Sequence, residues 1–166
     1  MKRLSGTSSP KPPEVTFFTD RDLGKGLPRI LRESGLRVMR YADHYGELNV
    51  PDEEWIAFAA RESFVAISHD RNIRSDPVAT QALMENGGGL FILRGKNLSG
   101  AEKAELFLKA LNGVLRVLED QPGAFLAVVS RSTPRHEAER AEVRVPQTVE
   151  GWSRGKSPST ESNRPG

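Results

Sequence analysis

The chain contains no cysteine, and this one absence excludes disulfides, thiolate metal sites and a cysteine nucleophile. It also lacks any run approaching the roughly 18 apolar residues that a membrane helix needs, and its first residues lack the apolar stretch of a signal peptide. Its three histidines show no zinc-ligand spacing. The expectation is a soluble, cytoplasmic protein with no membrane association. At 166 residues the chain is long enough for one domain with a real core.

A strong charge of one sign is missing as well. Residues 1–13 carry three basic residues and no acid, 14–132 carry 15 basic and 17 acidic, and 133–166 carry six basic and five acidic. The middle of the chain is therefore slightly acidic, and the high isoelectric point says little about nucleic-acid binding. Any such function must rest on local arrangement.

Residues 1–13 (MKRLSGTSSPKPP) are rich in Ser, Pro and Lys and offer too little apolar surface to fold, so they read as a disordered segment. From residue 133 the chain turns polar again and ends in SRGKSPSTESNRPG, a mostly disordered tail. Within it, a short strand over 141–145 fits the pattern, and Trp152 stands as an isolated apolar residue. The folded unit is 14–132.

Inside that unit short apolar runs alternate with helical patterns. Strands are expected at 15–19, 36–39, 64–68, 90–93 and 125–129, with helices at 27–34, 51–61, 77–85 and 101–118. Gly35 is placed to end the first helix. The last is the longest, with Leu106, Leu108, Leu111, Val114, Leu115 and Leu118 recurring at helical spacing. Continuous apolar strands separated by helices predict an α/β fold of three layers, α/β/α, around a mainly parallel sheet of about five strands.

Two of the apolar runs end in aspartate: Asp20 after Phe17-Phe18-Thr19, and Asp70 after Ile67-Ser68-His69. Between them, Asp52, Glu53 and Glu54 open the helix that leads into the third strand. Open α/β sheets do their chemistry at the carboxyl ends of their strands. If strands one and three are neighbours, Asp20 and Asp70 come together there and Asp52 or Glu53 reaches in from the helix. Carboxylates crowded in this way repel one another unless a hard cation lies between them, and Mg²⁺ or Mn²⁺ suits oxygen ligands.

Each acid also has a plain structural reading: a turn former after a strand for Asp20, a favourable first-turn charge for Asp52, Glu53 and Glu54, an N-cap for Asp76. Only the joint pattern points to chemistry. Around the same strand ends stand Arg21, Lys25, Arg71, Arg74, Arg94 and Lys96. A negative centre with a cationic fringe suits a phosphodiester, with Arg21, Lys25, Arg71 and Arg74 as the leading substrate-binding residues. His69 is not counted as catalytic.

The segments FFTDRDLG and PDEEWIAFAARESFVAISHDRNIR resemble the PIN-like nuclease domains, in particular the compact VapC-like branch. In that family an acid ends the first strand, an Asp opens a helix of the DxxIAxxA kind, and the next strand ends in Thr/Ser-x-Asp. Asp20, the segment from Asp52 to Ala60, and Ser68-His69-Asp70 match these features over about residues 16–130. The resemblance implies a Mg²⁺- or Mn²⁺-dependent endoribonuclease acting as a toxin, with Asp20, Asp52 and Asp70 catalytic and Glu53 an added metal ligand. It implies RNA as substrate and an antitoxin as partner, and a homodimer is compatible with it. Larger members carry a further Glu between the first acid and the Asp-led helix. Here only Asp22, Asp43 and Glu47 stand in that interval, and Asp43-His44-Tyr45 is an alternative substrate-binding loop.

Two other classes share parts of the pattern. A phosphoacceptor receiver domain needs a Lys at the end of the last strand, where this chain has Ser130-Arg131. A non-catalytic binding module of the same fold is favoured by the missing fourth acid.

Overall fold

A computed structural model describes residues 14–131 and 141–148. The expected disorder of 1–13 and of most of 133–166, and Trp152, lie outside the described residues. The described elements are β1 (Thr16–Thr19), α1 (Gly26–Glu33), β2 (Arg37–Arg40), α2 (Tyr41–Tyr45), α3 (Asp52–Arg61), β3 (Val65–Ser68) and α4 (Pro77–Glu85). They continue with β4 (Gly89–Leu93), α5 (Gly100–Lys109), α6 (Leu111–Asp120), β5 (Phe125–Arg131) and β6 (Ala141–Thr148). Single turns of 3-10 helix follow the two key strands, at Arg21–Leu23 and Arg71–Ser75.

The strands form one sheet in the order β2-β1-β3-β4-β5-β6. The first five are parallel, and β6 closes the far edge antiparallel to β5. The α/β reading with a mainly parallel sheet holds, and β1 and β3 are neighbours, in register Phe17 to Val65 and Thr19 to Ile67.

Strand side chains alternate between two cores, as a pleated sheet covered on both sides requires. Phe17, Ile67, Phe91 and Ala127 face α1, α5 and α6. Phe18, Ala66, Ile92 and Leu126 face α3 and α4, together with Tyr41 of α2.

The connections show why both faces are filled. From β1 to β2 the chain moves toward one edge over the α1 face. From β2 to β3, and from β3 to β4, it moves the other way over the α3–α4 face, which is the same hand. From β4 to β5 it moves that same way but over the α1 face, through α5 and α6, so this crossover has the opposite hand. Such connections are rare. Here the next described element after β5 is the antiparallel strand β6, and α5–α6 covers the apolar surface of β3, β4 and β5 beside α1.

The expected single helix over 101–118 is two helices, parted at Ala110, whose ψ of 3° departs from helical geometry. The break lets α5 pack on α1 while α6 turns toward β6, where a Cβ on Gly113 would lie 3.0 Å from Val143 Cγ2. The interval after β2, read as a loop, contains α2. Its buried Tyr41 hydroxyl donates to Leu48 O (2.7 Å) and accepts from Val50 N–H (2.9 Å), which ties the approach to α3 in place.

Phe107 of α5 meets Phe17 and Phe91 edge-on, with ring centroids 5.3 and 6.2 Å away. Phe107→Ala should cost about 3–5 kcal/mol in urea unfolding. A cost below about 1 kcal/mol would contradict the packing of α5 on this face.

Candidate active site

The carboxyl edge of the sheet at β1 and β3 gathers the acids. Asp20 leaves β1 with its N–H still donating to Ile67 O of β3 (3.0 Å). Its side chain is 6% exposed, and its Oδ2 accepts the Ser68 hydroxyl at 2.8 Å. Ser68 Oγ in turn accepts the Asp70 N–H at 3.0 Å. One serine thus links the ends of the two strands and both aspartates.

Asp20 starts a 3-10 turn, yet its side chain caps nothing there, and it forms no ion pair among the described residues. A turn-forming or capping role does not explain it. Burial lifts its pKa from 3.8 to about 6, against the lowering by Ser68, and the nearby charges of Asp22 and Asp52 push the same way.

Asp52 opens α3, with Oδ1 accepting Trp55 Nε1 at 3.0 Å. Trp55 is itself buried and stacks on Phe18, the neighbour of Thr19 and Asp20 in β1. Burial raises the Asp52 pKa, with the Trp55 hydrogen bond opposing, and the charges of Asp70, Asp76 and Glu53 raise it further. Asp70 Oδ1 accepts the Asn72 N–H at 2.9 Å. Each of the three aspartates is therefore held by a donor from a different source: the Ser68 hydroxyl and the Arg21 backbone for Asp20, Trp55 for Asp52 and the Asn72 backbone for Asp70. Glu53 is half-buried beside Asp52, while Glu54 and Asp22 are exposed.

Asp76 caps α4, as expected, with Oδ1 accepting from Val78 N–H and Ala79 N–H. Its charge also reaches Asp52, a neighbourhood that the capping reading did not reveal. Asp43 is the opposite case. It joins Arg32 at 2.8 Å and Arg40 at 3.0 Å, so its charge is spent on structure. Burial would raise its pKa, but the Arg40 backbone and side chain and then Arg32 hold it below the usual carboxylate range. His44 stacks on Phe58 with ring centroids 3.8 Å apart, and its ring is part of the aromatic packing around α3.

The cations divide into two groups. Toward β2, a small cavity of about 170 Å³ is lined by Asp20, Arg21, Lys25 and Arg40. Arg21 donates to Asn49 Oδ1 at 3.0 Å and lies over the Tyr41 ring. Toward β4 and β5 stand Arg71, Arg74, Arg94 and Lys96. His69 lies on that side, its pKa lowered by burial and then by Lys103.

Among the described residues, no three acidic or imidazole side chains converge closely enough to enclose an ion. The donor set fits a different kind of site. Mg²⁺ is commonly held by one or two carboxylates, with water and substrate oxygens completing its shell. Oriented carboxylates whose nearby charges raise the pKa of Asp20 and Asp52 suit that open arrangement. A phosphoacceptor site fits less well, since β5 ends on Ser130 and Arg131 with no lysine.

Residues 15–95 match the sequence profile of a family described as PIN-like domain. Over 120 residues the chain is 30% identical to "Putative ribonuclease VapC45" of Mycobacterium tuberculosis, a match covering 70% of this chain and 86% of that protein. No solved structure matches the chain.

The raised Asp20 pKa has a thermodynamic consequence. Between about pH 4 and pH 6 the folded chain holds this proton more tightly than the unfolded chain, so this group lowers stability as pH rises through that window. Asp20→Asn should remove the penalty. In urea unfolding with chelator present, the variant should be more stable than wild type by about 2–3 kcal/mol at pH 7.5, and the gain should vanish near pH 4. Equal stabilities at both pH values would contradict the buried, raised carboxylate.

Proposed function

This chain belongs to the PIN-like domain family, and from that premise we propose that it is a Mg²⁺- or Mn²⁺-dependent endoribonuclease, the toxin of a toxin–antitoxin pair. Asp20, Asp52 and Asp70 are its catalytic carboxylates and would hold the metal, with Glu53 as a further ligand. The observation that carries this reading is the buried Asp20 carboxylate, fixed by Ser68 from the neighbouring strand beside Asp52 and Asp70, with no ion pair among the described residues to neutralise it.

A divalent ion bound there would supply an activated water and neutralise charge on the scissile phosphate. The chain's own contribution is orientation. Ser68, Trp55 and the Asn72 N–H each fix one carboxylate before substrate arrives, which lowers the cost of assembling the site. The proton and the divalent ion compete for the Asp20 oxygens, so activity should rise with pH through a window below about pH 6 that moves lower as Mg²⁺ is raised. Arg21 and Lys25 on the β2 side, and Arg71 and Arg74 on the β4 side, hold the phosphates flanking the reacting one.

The similarity to a ribonuclease supports RNA as substrate, and the VapC-like character supports an antitoxin as protein partner. A homodimer and a cytoplasmic location belong to the same proposal. One observation favours a second reading: the unconverged carboxylates suit a binding module without activity.

Cleavage of labelled single-stranded RNA should require Mg²⁺ or Mn²⁺ and stop on chelation. Asp20→Asn and Asp70→Asn should each lower the rate by roughly 100-fold or more, and Ser68→Ala by roughly 10–100-fold as a supporting residue. Circular dichroism checks that the variants fold. Wild-type cleavage by either aspartate variant would overturn the assignment. A wild type that neither cleaves RNA nor binds Mn²⁺ would favour the binding module.

A further inference from the structure

From residue 133 to residue 166 the sequence has a single aromatic residue, Trp152. The residues after Thr148 lie outside the described ones, but the described face offers a place of matching character. Between α1 and α5 runs a groove of about 480 Å³, lined by Ile30, Ala101, Glu102, Glu105, Leu108 and Lys109. Ile30 and Leu108 rest on the core beneath and are only half-buried. Aromatic side chains bring a large apolar area to a contact, so an indole laid on Ile30 and Leu108 would complete their removal from water.

Charge and register agree with this. The groove's rim carries two carboxylates against one ammonium: Glu102, which accepts the Ser99 N–H at 2.8 Å, and Glu105, 3.8 Å from Lys109. Residues 151–160 carry Arg154 and Lys156 and no acid. In an extended chain Trp152, Arg154 and Lys156 point to one side, because side chains alternate with period two. On α5, Leu108, Glu105 and Glu102 follow one another at three-residue spacing along the groove. Successive positions are about 6.6 Å apart on the extended segment and about 4.5 Å on the helix, a difference that long Arg and Lys side chains absorb. Reach fits as well. β6 ends at Thr148, and four extended residues carry the chain about 13 Å further, to Trp152. α5 packs on β6 as well as on α1, and its two flanks are a helix diameter, about 10–12 Å, apart.

We propose that residues 151–156 of the same chain occupy this groove, with the Trp152 indole between Ile30 and Leu108, Arg154 at Glu105 and Lys156 at Glu102. The chain then covers its own α1–α5 face, and another protein reaches that face only by displacing the segment. The assignment is independent of the nuclease reading, since none of these side chains belongs to the catalytic or RNA-binding set.

Acrylamide quenching of tryptophan fluorescence in the full chain is the test. Trp55 is 1% exposed, so Trp152 is the side chain that reports, and Trp152→Phe supplies the Trp55 baseline. Acrylamide is neutral, so charge changes do not alter its local concentration. Wild-type quenching should stay close to the baseline. Glu105→Lys, at an exposed position, should raise it at least about twofold, in keeping with the loss of a surface ion pair and its replacement by repulsion. Leu108→Ala should raise it further. Glu105→Lys/Arg154→Glu should restore protection, and Glu119→Lys on α6 should change nothing. Quenching of wild-type Trp152 as strong as that of free N-acetyltryptophanamide would overturn the proposal. So would protection that neither groove variant removes. Protection that fades on dilution through about two orders of magnitude would overturn it as well and make the occupant a second copy, because a contact within one chain is independent of concentration.

Discussion

A carboxylate removed from water is costly unless donors compensate it, and the site depends on one such donor: the Ser68 hydroxyl, 2.8 Å from Asp20 Oδ2 across the β1–β3 boundary. The bond exists because β1 and β3 pair in parallel and in a register that puts Asp20 just past Ile67. A slip of one residue would turn Ser68 to the other face of the sheet and take this hydroxyl from the buried Asp20. Because Ser68 Oγ also accepts the Asp70 N–H, the same register fixes the second strand-terminal acid. Core packing, strand order and the carboxylate pair are in this sense one constraint.

The helices complete the arrangement from the other direction. On one face, α3 and α4 begin at the carboxyl edge, so Asp52 and Asp76 stand at helix N-termini, where the positive end of the helix dipole favours their charge. On the opposite face, the unusual β4–β5 crossover lays α5 and α6 beside α1 over the apolar surface of β3, β4 and β5. Among the described residues the edge itself carries acids at the β1–β3 boundary and cations to either side. Negative charge is gathered where a metal would bind, and positive charge where a polyanion would lie.

Much of this was legible in the chain. Apolar runs such as Val65–Ser68 read as strands buried on both faces, and an aspartate closing two of them marks the candidate edge once those strands are neighbours. What was not legible depends on distant partners. Ser68 is an ordinary residue at a strand end until its hydrogen bond to Asp20, 48 residues away, is seen. Asp43 has the composition of a site acid, but Arg32 and Arg40 neutralise it. Helix α2 is too short to form from propensity alone and depends on the Tyr41 hydroxyl contacts. Neither Gly nor Pro marks the break at Ala110, which follows from packing against α1 and β6. The basic fringe was visible as composition, but its division into two sides required the strand order.

The central claim is that Asp20 is a buried carboxylate kept ready for a divalent ion. Carboxyl-carbon NMR titration of Asp20 with and without Mg²⁺ tests it most directly. A midpoint near pH 6 is expected without the ion, as burial requires, and a clear downward shift when Mg²⁺ is added. A midpoint near 4, or one that Mg²⁺ leaves unmoved, would contradict it.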